Sequence, residues 1–449
     1  MTGRYKTYPE YKDSGSEWVG NIPVQWETTK LKYIFDIQKR IAGEVGYDVL
    51  SITQRGIKVK DIESGDGQLS MDYSKYQLVY KGDFAMNHMD LLTGYVDISS
   101  FDGVTSPDYR VFRLINCTRF YDRYYLYLLQ FCYKQKVFFP LGQGSAHLGR
   151  WRLPTEAFNE VEYPTPSFSE QQQIANFLDY ETAKIDTLID KQEKLIELLK
   201  EKRQAVISHA VTKGLNPDVP MKDSGVEWLG GVPEHWAIIP LKHLCRFSGG
   251  GTPTKDNLIY WTNGTIPWVS PKDMKSQRVT QTSDYITEKA VVESSTNYVD
   301  SGALLMVVRS GILQRTIPVA INDVVVTLNQ DMKALKFNQK MAVDFALHFI
   351  VGNEKALLLE WSKEGATVES IEHEYLANGL LPVPPMPEQL SIVQYLSTEM
   401  EKFSQLETRA ILGIELLKER KTALISAAVT GKIDVRDWQE PTYQESAQR

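Results

Sequence analysis

The sequence predicts a mixed α/β (α+β) chain: two globular domains and two long coiled-coil helices in an internal pseudo-two-fold duplication. Three observations carry this. YKDSGSEWVGNIPVQWETTKLK at 11–32 returns as MKDSGVEWLGGVPEHWAIIPLK at 221–242. A second block opens EQQQIANFL at Glu170, returns as EQLSIVQYL at Glu388, and repeats IELLKE at 196–201 and 414–419. Between the blocks, residues 27–163 and 237–381 do not match, and identity falls abruptly at the block edges. Self-similarity of this kind decides the architecture before any local reading does. A kept frame with varied inserts points to one scaffold presenting two different readers, with plain divergence of two equivalent domains as the alternative. The resulting boundaries are 1–163 for the first domain, 164–214 for the first helix, 215–381 for the second domain, 382–434 for the second helix and 435–449 for a tail.

In chain order, LVYKGDFAMN at 78–87 and the alternating YRVFRLI at 109–115 read as strands. YDRYYLYLLQFCYKQ at 121–135 reads as an amphipathic helix. From Glu170 to Gly214 there is no proline and no internal glycine, and good helix formers dominate. The proline-rich PTPSF before it sets the start, and Gly214 after Lys213 sets the end. Such a helix is ~65 Å long at 1.5 Å per residue. Its expected seam is Ile185, Leu188, Leu195, Leu199 and Val206, interrupted by Gln192 and Lys202. In the second insert, ALLMVVRSG at 303–311 reads as a strand and 342–361 as one amphipathic helix. The second long helix repeats the seam with Phe403, Leu406, Ala410, Leu417 and Leu424, interrupted by Gly413 and Arg420. One helix of that length cannot bury such a stripe alone, so each is the obvious partner of the other.

Composition narrows the classes. The 449 residues are 42 % hydrophobic and 24 % charged, which is ordinary for folded protein and excludes disordered or collagen-like chains. No apolar run approaches the ~20 residues of a membrane span. The opening MTGRYKTYPEYKDSG has no apolar core of a secretory signal. Three scattered cysteines, Cys117, Cys132 and Cys245, have no metal-ligand spacing and suit a reduced, cytoplasmic setting. Catalytic signatures are missing: no GxxxxGK[ST], no HExxH, no GxSxG and no NPPY-like tetrapeptide. FSGGGT at 247–252 superficially matches an adenosylmethionine-binding loop, but its context lacks a clear strand before it and a helix opening after it.

The repeated blocks resemble the specificity subunit of type I restriction-modification systems, and the resemblance covers nearly the whole chain. KDSGVEWLGGVPEHW at 222–236 is similar to the family's domain-opening signature. PPMPEQLSIVQYL at 384–396, leading to ELLKERKTALISAAVTGKID at 415–434, is its companion. GGTPTKDNLIYWTNGTIPWVSPKDM at 250–274 resembles one class of target recognition domain. The first insert lacks that opening, yet GQGSAHLGRWRLPTEAFNEVEYPTPS at 142–167 is similar to the family's domain-closing stretch. The resemblance implies two target recognition domains, each reading one half of a split, asymmetric DNA site, separated by antiparallel helices that fix the spacing. It implies no catalysis and no cofactor in this chain. Two modification subunits would methylate adenine with S-adenosylmethionine, and two restriction subunits would use ATP and Mg.

Charge gives this reading no general support. Net charge is −7, and by residue count the first insert holds 17 basic and 17 acidic side chains, the second 14 and 15. Phosphate contacts come from Lys and Arg, so DNA binding requires local patches. Candidate phosphate contacts are Arg55, Lys58, Lys60, Arg150 and Arg152 in the first insert, and Lys272 and Lys275 in the second. Major-groove edges suit Arg, Asn, Gln and small hydroxyls. Candidates for these are Gln54, Asn87, His88, Ser145 and His147, then Thr252, Thr254, Arg309 and Gln330. Three readings compete: the specificity chain of a fused system cutting on both sides of its site, a helical scaffold that binds no DNA, and an enzyme with an unrecognised site.

Overall fold

A computed structural model describes residues 5–61, 73–145, 150–362 and 369–441. The chain forms two compact units. One comprises the residues up to Gln192 together with those from Leu412 onward, and the other comprises Glu193–Ile411. Each unit contains one insert and half of each long helix.

The first unit runs through β1 (Phe35–Gln38), the hairpin β2 (Leu50–Thr53) and β3 (Gly56–Val59), β4 (Phe84–Met86), β5 (Val96–Ile98), β6 (Arg110–Leu114), α1 (Asp122–Lys134), the hairpin β7 (Gln143–Ser145) and β8 (Arg150–Arg152), and the long helix α2 (Phe168–Lys213). Its central sheet has the order β1-β6-β4-β5, antiparallel throughout. Phe35, Phe84 and Phe112 fill one face, with Phe35 edge-on to both others at 5.1 and 4.9 Å. Aromatic pairs favour such edge-to-face contacts. The run 78–87 makes two short strands, because Gly82 turns the chain at φ +85° and Asp83 is buried between Arg40 and Arg113.

The second unit contains β9 (Cys245–Gly249), β10 (Leu304–Val307), β11 (Val319–Asn322), β12 (Met332–Phe337), α3 (Val343–Gly352) and the long helix α4 (Met386–Val429). Its main sheet begins β9-β12-β10-β11 and adds the short Arg278–Val279 in parallel at the edge. Counted along the chain, the first four strands occur in the same order as in the first unit. The inserts thus share a sheet plan although their sequences do not match. The helix expected over 342–361 is two helices, Val343–Gly352 and Glu354–Trp361. A Cβ at Gly352 would lie 2.9 Å from Ile207 and 3.0 Å from the Ser208 backbone, and Asn353 bonds Ser208 and the Phe349 carbonyl. Close packing on α2 breaks the run there.

The repeated blocks build the same frame twice. Each insert enters and leaves through a two-stranded antiparallel pair: Glu27–Lys30 with Glu162–Thr165, and Ala237–Pro240 with Leu380–Val383. The Glu-Gln pair that opens each long helix locks this frame. Glu170 accepts from Trp26 Nε1 at 3.0 Å and the Tyr8 hydroxyl at 2.6 Å. Glu388 accepts from Trp236 Nε1 at 3.1 Å and His235 at 2.7 Å. Gln171 and Gln389, both fully buried, bond main-chain atoms. Gln171 accepts from Tyr121 N and donates to the Arg119 and Pro166 carbonyls. Gln389 accepts from Ala342 N and donates to the Lys340 and Pro384 carbonyls.

Within each unit the long helices pack antiparallel. In the first, Lys421 pairs with Asp186 at 2.7 Å. In the second, Lys200 meets Glu407 at 3.5 Å, and Arg203 donates to Met400 Sδ at 3.3 Å. The seam departs from the expected one. Ile185 and Leu424 are buried, and Leu199, Val206, Phe403 and Leu417 are partly buried, but Leu188, Leu195 and Leu406 are more than 40 % exposed. The inward positions beside them are Ile189, Ile196 and Glu407. Both tracks obey a 3-4 alternation and differ only in whether the step after Ile185 is three or four. Adjacent apolar pairs, Leu188-Ile189 and Leu195-Ile196, make the two tracks equally apolar in sequence. Gly214 ends α2 at φ +78°, the left-handed conformation that glycine adopts freely. Among the described residues, no helix is long and apolar enough to cross a membrane.

Candidate nucleic-acid interface

Three segments of the first unit converge. The β2–β3 hairpin turns at Thr53–Gly56, where Thr53 Oγ1 donates to the Gly56 carbonyl and accepts from Arg55 N. Gln54 and Arg55 stand exposed at its tip, and Gln54 Nε2 reaches the Thr93 carbonyl at 3.4 Å. Thr93 belongs to the loop 87–94. Asp90 ties that loop internally, accepting from Leu92 N and Thr93 N while its carbonyl accepts from Gly94 N. A Cβ at Gly94 would lie 2.1 Å from the Asp90 carbonyl oxygen, so only glycine closes the loop. On its other side the loop bonds the β7–β8 hairpin: Leu91 N to the Trp151 carbonyl at 3.0 Å, and Leu153 N to the His88 carbonyl at 2.8 Å.

Gln54, Arg55, Asn87, His88 and exposed Arg152 are thereby brought together. The Asn87 carbonyl accepts from Tyr133 at 2.6 Å, and its Oδ1 accepts from Met89 N. His88 is partly buried. Burial, with Arg110 and Arg152 adding to it, pushes its pKa down to about 3, so the imidazole is neutral at pH 7. It can exchange hydrogen bonds but brings no charge to a phosphate. Lys58 is exposed on β3, and Lys60 N bonds the Val49 carbonyl at the far end of that hairpin. They are not part of the convergence. β7 and β8 pair Ser145 with Arg150; those two side chains and His147 lie outside the described residues.

The second unit arranges its candidates around the loop after β9. Gly250 and Gly251 are closely packed: a Cβ on Gly250 would fall 1.9 Å from the Asn329 carbonyl oxygen, and one on Gly251 2.5 Å from Ser295 Oγ. Gly251 N donates to Leu328, and Trp268 Nε1 donates to Gly251. Close packing therefore accounts for these glycines. A strand does lead into these glycines, contrary to the sequence reading, because β9 is held by pairing with β12; it is followed by a short turn at Leu258–Tyr260, not by the helix of a cofactor loop. Thr252 Oγ1 bonds Gln330 Oε1, and Val308 N bonds Asp331 beside it, which places Arg309 on the same side. Thr254 is exposed and its carbonyl accepts from Trp261. A cleft of about 470 Å³ lies here, lined by Lys255, Trp261, Trp268 and Lys272 among others. Lys272 is paired with Asp284 at 2.7 Å and Arg278 with Asp323 and Asp344, so both cations are neutralised internally; Lys275 is exposed. Among the described residues, no group of three or more His, Cys, Asp or Glu could hold a metal ion.

Sequence reasoning missed Arg110, Tyr133 and the paired Trp261 and Trp268, whose rings meet edge-on at 5.1 Å. The polar atoms of Arg110, Tyr133 and Trp268 act on backbone 43, 46 and 17 residues away, and those of Trp261 on Thr254, contacts that no sequence pattern displays. The glycine in NHMDLLTG was the available clue to the ordered loop 87–94.

The family model for the type I restriction modification DNA specificity domain matches residues 23–198 and 233–416. The chain is 37 % identical over 193 residues to the EcoR124I/EcoR124II type I restriction enzyme specificity subunit of Escherichia coli, a stretch covering 43 % of this chain and 44 % of that relative. It is 22 % identical over 437 residues to the chain named for the MjaX type I restriction enzyme specificity subunit of Methanocaldococcus jannaschii, covering 93 % and 96 %. Among solved structures it shares its fold with a chain from work on complex assembly and conformational transition of the type I R-M system (TM-score 0.69, 14 % identity, 91 % and 98 % covered). It likewise shares the fold of the HsdS subunit from Thermoanaerobacter tengcongensis (TM-score 0.54, 15 % identity, 92 % and 98 %). With the model matched across both inserts and the frame around each of them, the chain belongs to the family of type I restriction-modification DNA specificity subunits.

Proposed function

We propose that this chain is the non-catalytic, sequence-specific DNA-reading subunit of a type I restriction-modification complex. It reads a bipartite, asymmetric site, one half per unit, and directs methylation or cleavage carried out by other subunits. The observation that carries this is the duplicated frame. The same Trp–Glu and Gln–backbone bonds hold two inserts with one sheet plan and unlike surface chemistry. Two unlike readers on one scaffold suit a target of two unlike halves. In the first unit Gln54, Asn87 and Arg152 offer the amide and guanidinium groups that match adenine and guanine edges. In the second, Thr252, Gln330 and Arg309 do so.

Affinity beyond these groups is supplied by partners: two modification subunits holding S-adenosylmethionine, and two restriction subunits using ATP and Mg, in the cytoplasm. This chain itself holds no cofactor; in FSGGGT, Gly250 and Gly251 serve packing. Sequencing the methylated bases of cells that carry the three-subunit system tests the reading. Two specified blocks separated by a fixed unspecified spacer are expected. A single uninterrupted motif, or no methylation dependent on this chain, overturns it.

A further inference from the structure

We propose that Arg110 is a positioning residue for base recognition in the first unit: its buried guanidinium holds the loop 87–94 and the segment after the β7–β8 hairpin in register, so that Asn87, His88 and Arg152 act together. The inference rests on the DNA reading above and names the part that sets one half-site.

Arg110 begins β6, where it stands opposite Met86, the residue before Asn87. It is 4 % exposed. Nη2 donates to the Leu153 carbonyl at 3.0 Å and Thr155 Oγ1 at 3.3 Å, and the amide of the same Leu153 donates to the His88 carbonyl. Arg110 therefore ties β6, the strand paired with the β4 that leads into the loop, to the segment that brackets that loop. The guanidinium lies 4.6 Å from the Phe158 ring centroid. Among the described residues Nη1 has no partner and no carboxylate forms an ion pair with it. Burial pushes its pKa down to about 10, which leaves it charged at pH 7. A buried cation offset only at a distance, here by the carboxylate of Glu156, is costly, and an apolar side chain of equal length would fill the space more cheaply. Keeping the arginine there is explained by what its hydrogen bonds hold. Tyr133 makes a second, independent tie to the loop through the Asn87 carbonyl.

The test uses the full chain co-expressed with its own methyltransferase partner, reading the methylated motif base by base for Arg110→Met and Arg110→Gln. Arg110→Met keeps length and packing and removes the donors. Wrong bases in the first half-site are expected to be tolerated about tenfold more often, the scale of one lost base discrimination, with preferences in the second half-site unchanged. A merely structural role would lower total methylation and leave first-half preferences intact. That result, or a motif unchanged in both halves, overturns the proposal. If Arg110→Met abolishes methylation, Arg110→Gln decides, since it keeps a polar group that is too short to reach Leu153: a relaxed first half supports the proposal and an unaltered one overturns it. Absence of any two-part motif with the unsubstituted chain would instead refute the underlying DNA reading.

Discussion

The indole N–H of Trp26 donates to the carboxylate of Glu170 across 144 residues of chain, at 3.0 Å and out of contact with water. Trp236 and Glu388 repeat the bond in the second unit. Replacing Glu170 with leucine leaves both Trp26 and Tyr8 with buried donors and no acceptor. At about 1–3 kcal/mol for each orphaned group, Glu170→Leu should destabilise the first unit by about 3 kcal/mol, and Glu170→Gln by about 1 kcal/mol. Hydrogen exchange in residues 20–35 reads this directly. Equal protection in Glu170→Leu and the unsubstituted chain would refute it.

Acid should loosen the first unit through His88. Its folded-state pKa is depressed from 6.5 to about 3, so the unfolded chain takes up a proton before the folded one does. Full stability is present above about pH 6.5 and is lost progressively as pH falls, the loss ending near pH 3. The slope from this group is at most about 1.4 kcal/mol per pH unit. His88→Gln should flatten that part of the profile in denaturation measured from pH 7 to pH 4. An identical slope in both proteins counts against the buried, neutral imidazole.

Recognition should be modular. Exchanging residues 27–163 for the corresponding segment of a related subunit should alter one half-site and leave the other intact, since the second insert and its frame are untouched. Methylated-base sequencing checks this, and a swap that altered both halves would sink it.

Gly250→Ala separates packing from cofactor binding. The added Cβ meets main chain at 1.9 Å, which cannot yield as a flexible side chain would. Second-half recognition should fall by about tenfold or more, with the first half unaffected. Calorimetry should detect no S-adenosylmethionine binding by either form. Binding that is abolished by Gly249→Ala, where an added Cβ has open space around it, would revive the cofactor loop.

A fragment ending near residue 220 should self-associate. The first unit includes residues from Leu412 onward. Val429 accepts from buried Tyr124, and Trp438 packs on Phe177 at 5.5 Å. A monomeric fragment would uncover these surfaces, and the matching helix of a second copy is the available substitute. Sedimentation giving a stable monomer would contradict this.

Much of the frame was legible because it is written twice. The Trp, Glu and Gln positions recur at fixed offsets, and 3-4 periodicity located both long helices. The track of the seam was not legible, because Leu188-Ile189 and Leu195-Ile196 satisfy either phase and tertiary packing alone selects Ile189 and Ile196. The candidate interface was legible in part. Gln54, Asn87, His88 and Arg152 are polar residues in turn-rich stretches, and folding assembles them. Arg110 was hidden, since an arginine inside YRVFRLI reads as the solvent side of a strand. Only the fold reveals that both faces of β6 are covered at that point.

Gln171 and Gln389 grip their inserts by peptide groups alone. Their partners are the amides of Tyr121 and Ala342 and the carbonyls of Arg119 and Lys340, atoms that every non-proline residue provides. The identity of the side chains at those positions is invisible to the clamp. Any segment that brings its backbone to the same place can be received, whatever it carries on its surface. The scaffold works as a socket of fixed shape, which can receive a different insert without readjustment of Gln171 or Gln389.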